Sequence, residues 1–205
     1  MIDCGKKFFD MSIKIALGLQ NSPTQYAFTR HNVGAIMLST FAEKRNAQFQ
    51  YNKYCAASLA KVSVSGVELY LVRLEGYMNE SGVNLKNVLK FLKCDISNCI
   101  VLYDDVGLDL GRVKISENIS AGGHNGVSDI MAHCGNSFAR LRIGIGAKPH
   151  KNMDLADYVL GRLSDEEKTV LLSATKVVDE SFELICSNGL SAAQNKINQY
   201  NKDEK

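Results

Sequence analysis

Two short apolar runs constrain the fold of this chain more than anything else in it. Ile13-Lys14-Ile15-Ala16-Leu17-Gly18-Leu19 is closed by Gly18 and by Asn21-Ser22-Pro23, and Cys99-Ile100-Val101-Leu102-Tyr103 stops at Asp104-Asp105. Runs this short, apolar on successive residues and bounded by turn formers, read as buried strands. Helical spacing follows each part of the pattern. Val33, Ile36, Met37, Thr40 and Phe41 recur after the first run, and Leu85, Val88, Leu89 and Leu92 fall at i, i+3, i+4 and i+7 in the segment from Glu80.

The remaining segments extend the alternation. Residues 54–64 and 67–73 are β-rich and separated by Ser65-Gly66, which predicts a hairpin. Residues 112–116 and 140–146 read as further strands, with a short helix carrying Val127, Ile130 and Met131 between them. Ser164-Asp165-Glu166-Glu167 is a capping box, opening a helix that runs to about Ser187 and stops near Gly189; a last amphipathic helix starts at about Ser191. With 205 residues, 45% of them hydrophobic, the chain has enough apolar surface for one core. The expected class is therefore α/β: a single three-layer α/β/α domain with a twisted mixed sheet and C-terminal helices. Residues 1–11 read as a flexible N-terminal extension with Met11 as an alternative start, 12–200 as the domain, and 201–205 as a polar tail.

Several function classes drop out early. No stretch of roughly 18 apolar residues exists, so no membrane span is expected. The net charge of +2 neither demands nor excludes a nucleic-acid partner, and any basic surface has to be local. The 6 cysteines are dispersed, without a Cys-x-x-Cys pair or a cysteine-histidine cluster at zinc spacing. They read as buried free thiols in a reducing cytoplasm, and no metal or cofactor is expected.

The chemistry is concentrated in loops that end strands or begin helices. Asn21 follows the first strand, and Arg30 and His31 sit where the next helix opens. Met78-Asn79 precedes the second helix, Asp104 ends the central strand, and His124-Asn125 follows a glycine-rich turn. A histidine at such a junction can act as a base near neutral pH, or it can simply cap the helix. An aspartate partner would fix its tautomer, and carboxamides can hold a carbonyl or an oxyanion without adding charge. Each residue also has a plain structural reading, Asp104 as a strand end and the asparagines as turn formers. No serine or cysteine occupies a nucleophile elbow, so the inventory suits histidine-activated water. His133 and His150 read as structural or solvent-facing.

Taken in order, these segments resemble one family. Gly18-Leu19-Gln20-Asn21-Ser22-Pro23 with Tyr26 and Thr29-Arg30-His31-Asn32-x-Gly34 is similar to the N-terminal signature of bacterial peptidyl-tRNA hydrolase. Tyr77-Met78-Asn79-Glu80-Ser81-Gly82, Tyr103-Asp104-Asp105, Gly122-Gly123-His124-Asn125-Gly126 and Phe138-Ala139-Arg140-Leu141-Arg142-Ile143-Gly144-Ile145-Gly146 resemble its later motifs, and Asp157-Tyr158-Val159-Leu160-Gly161 continues the match. The resemblance implies an enzyme that cleaves the ester between a peptide and the terminal ribose of tRNA, recycling tRNA from aborted translation. His31 takes the family's general-base position, Asp104 that of its orienting partner, and Asn21, Asn79 and Asn125 those of its substrate-binding asparagines. Asn21 and Asn79 are the candidates for steering water and the scissile carbonyl. Tyr26, Tyr77, Met78 and His124 would line the cleft. Arg142 falls on a phosphate-binding position, with pairing to Asp129 or Glu117 as its alternative, and Lys114 is the nearest further cation. Lys148, Lys151 and Lys196 are secondary candidates. A monomer is the family expectation.

The chain also departs from the family. Gly107-Leu108 stands where Asp-Leu is usual, Leu74-Glu75-Gly76 where Pro-x-Thr is common, and Ser116-Glu117-Asn118 where a basic cluster often lies. Two other readings stay open at this point. One is a non-catalytic RNA-binding relative of the same fold; the other is a metal-free esterase or amidase acting on small molecules. A dinucleotide-binding enzyme is the poorest fit, because no Gly-x-Gly-x-x-Gly follows the first strand.

Overall fold

The first apolar run forms β1 (Ile15–Gly18), and it is apolar throughout because it is paired on both edges and covered on both faces. Its parallel neighbours are β4 (Val67–Leu74) and β5 (Cys99–Asp105), with Ala16 opposite Leu71 on one side and Ile100 on the other. β5 continues in parallel to β7 (Ala139–Gly144), whose outer edge is closed by antiparallel β6 (Val113–Glu117). On the far side the expected hairpin pairs β3 (Ala57–Val64) with β4, and β2 (Gln50–Asn52) caps that edge. The seven strands run in the order β2-β3-β4-β1-β5-β7-β6, a mixed sheet. The computed structural model describes residues 12–200, so the segments 1–11 and 201–205 lie outside the described residues.

Alternate side chains of the central strands feed two cores. Ala16, Ile100 and Leu102 pack with Val33, Met37 and Phe41 of α1 (Val33–Glu43) and with Val178 and Phe182 of α5 (Asp165–Asn188). Ile15, Leu17, Val101 and Tyr103 pack on the other side with α2 (Ser81–Leu92) and α3 (Asn125–Cys134). Two short helices complete the chain's helical part: α4 (Leu155–Leu160), between β7 and α5, and α6 (Leu190–Gln199) at the end. The capping box at Ser164 and Glu167 forms as expected, and α5 stops at Gly189.

β2 and α4 escape sequence reading. β2 has three residues, two of them exposed, and α4 has six, fewer than two turns, so neither is long enough to show a period. β5 also runs two residues past its apolar stretch, because Asp104 and Asp105 still pair with Ile143 and Gly144.

Gly34 fixes how closely α1 approaches the sheet. A Cβ there would strike the Leu102 carbonyl of β5, so only a bare backbone lets the helix seat. Gly34→Ala should lower stability by about 1–3 kcal/mol, the usual cost of overpacking, read as an earlier urea midpoint. An unchanged midpoint would mean that α1 can shift without loss.

Candidate active site

A cleft of about 760 Å³ opens at the carboxyl ends of the parallel strands, where α/β sheets place their ligands. Asn21, Tyr26, His31, Tyr77, Met78, Asn79, Asp104, His124, Asn125 and Arg142 all line it, so residues from five separate segments meet there. Lys114 does not line it, and neither do the secondary candidates Lys148, Lys151 and Lys196. Lys114 lies on β6 opposite Arg142 in the ladder. Leu155, Ala156, Val159 and Leu160 of α4 line the cleft as well, which sequence reasoning did not anticipate.

His31 is the second residue of a 3-10 turn, Arg30–Asn32, that leads directly into α1. It is 7% exposed, and its Nδ1 lies 2.8 Å from Asp104 Oδ1. The same oxygen is 3.0 Å from Nε2 of His124, and the two imidazoles are 4.7 Å apart between centroids. His124 N-caps α3, its Nδ1 accepting the Val127 N–H at 3.3 Å. An imidazole nitrogen that accepts carries no proton, so His124 holds its proton on Nε2 and donates it to Asp104. His31 Nδ1–H then donates to the same oxygen, leaving His31 Nε2 as a bare lone pair. Burial alone would push the Asp104 carboxyl up, but the hydrogen bonds from His124 and His31, with the positive charge either ring carries once protonated, hold it well below the usual carboxylate range. Tyr103 presents its edge to His124, and burial pushes its hydroxyl up to about 12 although Arg140 and Arg142 pull it down. It is a neutral wall.

His31, Asp104 and His124 have donor atoms within 4.8 Å of one another, a spacing that invites comparison with a metal site. Metal ligation through His124 Nε2 would move its proton to Nδ1, which faces the Val127 N–H. The donor set fits a shared-carboxylate hydrogen-bond network better than a cation.

The asparagines are held to different degrees. Asn21 Oδ1 accepts the Met78 N–H at 2.9 Å, which orients the carboxamide and ties the loop after β1 to the loop after β4. Asn32, next to His31, has a structural task that the sequence does not disclose. Its Oδ1 accepts the Asn21 N–H at 2.8 Å and its Nδ2 donates to the Asn21 carbonyl at 3.0 Å, so it braces Asn21 from behind. Asn79, in the 3-10 turn Met78–Glu80, and Asn125, first in α3, are both exposed on the cleft wall. Met78 is 4% exposed, Tyr77 is 52% exposed, and Tyr26 is half-buried.

The cations need correction. Arg142 pairs neither with Asp129 nor with Glu117; its Nε donates to Asp105 Oδ2 at 2.6 Å and its Nη1 to Ser116 Oγ at 3.4 Å. Asp105 is well placed for this, because its Oδ1 closes a turn by accepting the Gly107 N–H. Asp129 is occupied by the Gly82 N–H and His133. Lys148 Nζ donates to the carbonyls of Lys151 and Met153, and Lys196 pairs with Glu180. The links from Arg142 to Asp105 and Ser116 run between strands and leave no local trace in the sequence.

Known proteins match this chain along nearly its whole length. The family model described as Peptidyl-tRNA hydrolase matches residues 15–205. A peptidyl-tRNA hydrolase of Lachnospira eligens is 39% identical over 185 residues, covering 90% of this chain and 98% of that protein. One of Thermotoga maritima is 41% identical over 180 residues, covering 87% and 94%. The crystal structure of peptidyl-tRNA hydrolase from Acinetobacter baumannii superposes with a TM-score of 0.84 at 28% identity, covering 91% of this chain and 94% of that one. Fold and sequence matches agree, and the chain belongs to the peptidyl-tRNA hydrolase family.

Proposed function

We propose that this chain hydrolyses the ester joining a peptide or N-blocked amino acid to the terminal ribose of tRNA, using water activated by His31. The observation that carries the reading is the single Asp104 oxygen that takes the Nδ1–H of His31 and so leaves Nε2 free on the cleft side. Nε2 takes a proton from water as the water oxygen attacks the ester carbonyl. Charge that develops on the carbonyl oxygen is met by the carboxamide N–H groups of Asn21 and Asn79. The tetrahedral intermediate collapses by breaking the bond to the ribose oxygen, which recovers the proton from the imidazolium. Asp104 stabilises that imidazolium without itself taking the proton. Asn125, Tyr26, Tyr77, Met78 and His124 form the walls that receive the peptide and the tRNA end. The relatives are hydrolases, and the complete base-and-carboxylate pair supports turnover over a purely RNA-binding role.

Free thiols at Cys55, Cys94, Cys99, Cys134 and Cys186 support a reducing, cytoplasmic setting. Among the described residues no helix is long and apolar enough to cross a membrane.

His31→Ala should lose about 10²–10⁴-fold in kcat on N-blocked aminoacyl-tRNA while tRNA binding survives. Asp104→Asn should lower kcat with KM little changed, since it removes the charge behind the base. Near-normal turnover in folded His31→Ala would overturn the base assignment, and a defect confined to KM in Asp104→Asn would move Asp104 to substrate binding.

Grip on tRNA rests on Arg142, whose guanidinium keeps further N–H donors after satisfying Asp105 and Ser116. Arg142→Ala should raise KM for peptidyl-tRNA and flatten the dependence of log affinity on log salt by about 0.7–0.9, one phosphate's worth. Hydrolysis of a minimal ester should be unaffected. An unchanged salt slope would assign Arg142 to holding Asp105 alone.

A further inference from the structure

Arg30, next to the candidate base, takes no part in the chemistry above, yet it is among the most heavily anchored side chains in the molecule. Its Nε and Nη2 make a fork on Glu167, at 2.8 Å to Oε1 and 2.9 Å to Oε2, and both side chains are only 16% exposed. Its Nη1 donates to the Tyr158 carbonyl at 3.2 Å, and the guanidinium lies 4.7 Å over the Tyr158 ring. The Tyr158 hydroxyl in turn donates to the Ile145 carbonyl at 2.7 Å, just past β7. The main chain repeats the link, with the Arg30 N–H bonded to the Gly161 carbonyl at 3.1 Å.

Gly161 shows that space here is reserved. Its φ of −66° and ψ of 145° suit any residue, so no backbone strain calls for glycine. A Cβ at that position would lie 2.7 Å from Arg30 Nη1. The Tyr158 and Asp157 carbonyl oxygens would lie at 3.1 and 3.2 Å, so the guanidinium is the group such a Cβ would crowd most.

We propose that Arg30 is a positioning residue that sets where His31 stands relative to the α4 wall of the cleft. Its guanidinium ties the 3-10 turn carrying His31 to the start of α5 at Glu167 and to α4 at Tyr158, and α4 lines the same cleft as the base. A bidentate Arg–carboxylate fork fixes direction as well as distance, which a single ion pair does not. A substrate seated against Val159 and Leu160 therefore meets His31 Nε2 at a set separation. This rests on the reading of His31 as the base.

The test compares Arg30→Gln, Glu167→Gln, their double variant and Gly161→Ala with His31→Ala, measuring kcat and KM on N-blocked aminoacyl-tRNA below each variant's melting temperature. Glu167→Gln is informative because glutamine still serves the capping box of α5 while the charged fork is lost. Each clamp variant should lose about 10- to 100-fold in kcat, the cost of roughly an ångström of misplacement, with KM little changed. The double variant should be no worse than Arg30→Gln alone, because one connection is cut in both. If Arg30→Gln does not fold, Gly161→Ala and Glu167→Gln carry the same expectation. Normal kcat in the folded clamp variants beside an inactive His31→Ala would overturn the positioning role and leave the base intact. Fully active His31→Ala would instead remove the base on which the role depends. Clamp losses that appear only in melting temperature or only in KM would also overturn it.

Discussion

Two imidazoles in the cleft donate N–H hydrogen bonds to one oxygen, Asp104 Oδ1, and the rest of the site is arranged around that shared acceptor. A carboxylate that is 4% exposed is costly to keep charged, and here two donors at 2.8 and 3.0 Å meet the cost. The sharing has a directional consequence. His124 is fixed from its other side by the Val127 N–H at the start of α3, so it can only donate to Asp104. His31 has its other nitrogen unclaimed on the cleft wall. One histidine therefore serves the scaffold and the other is left reactive, although the two rings are neighbours.

The scaffold around this pair is braced from outside the cleft. Asn32 grips the main chain of Asn21 in both directions, and Asn21 grips the main chain of Met78, so the loops after β1 and β4 are tied together. Glu75, which stands at one of the departures from the family pattern, bonds Ser22 and Ser58 and joins the same loops to the hairpin. Another departure, Ser116, accepts from Arg142. These replacements are integrated into hydrogen bonding and leave the wall around His31 complete.

What the sequence discloses is local, and what it hides is pairing across the fold. The apolar runs at β1 and β5 identify themselves because both of their faces are covered, and the box at Ser164 and Glu167 announces α5 because its partners are three residues apart. His31 and Asp104 are readable as a pair only through their resemblance to a family, since 73 residues separate them. The fork between Arg30 and Glu167 spans 137 residues, and the link from Arg142 to Asp105 spans 37, across two strands whose register no local pattern encodes. Glu167 illustrates the limit well. Its capping task is legible and correct, yet the same carboxylate also receives Arg30, and composition cannot reveal a second partner.

Tautomer assignment by long-range ¹H–¹⁵N NMR at neutral pH tests the shared-acceptor arrangement most directly. The geometry requires His31 to carry its proton on Nδ1 with Nε2 bare, and His124 to carry its proton on Nε2 with Nδ1 bare. Opposite tautomers in two adjacent histidines would be the signature of one carboxylate serving both. A His31 found protonated on Nε2 would contradict it, because the lone pair that activates water would then be turned away from the cleft.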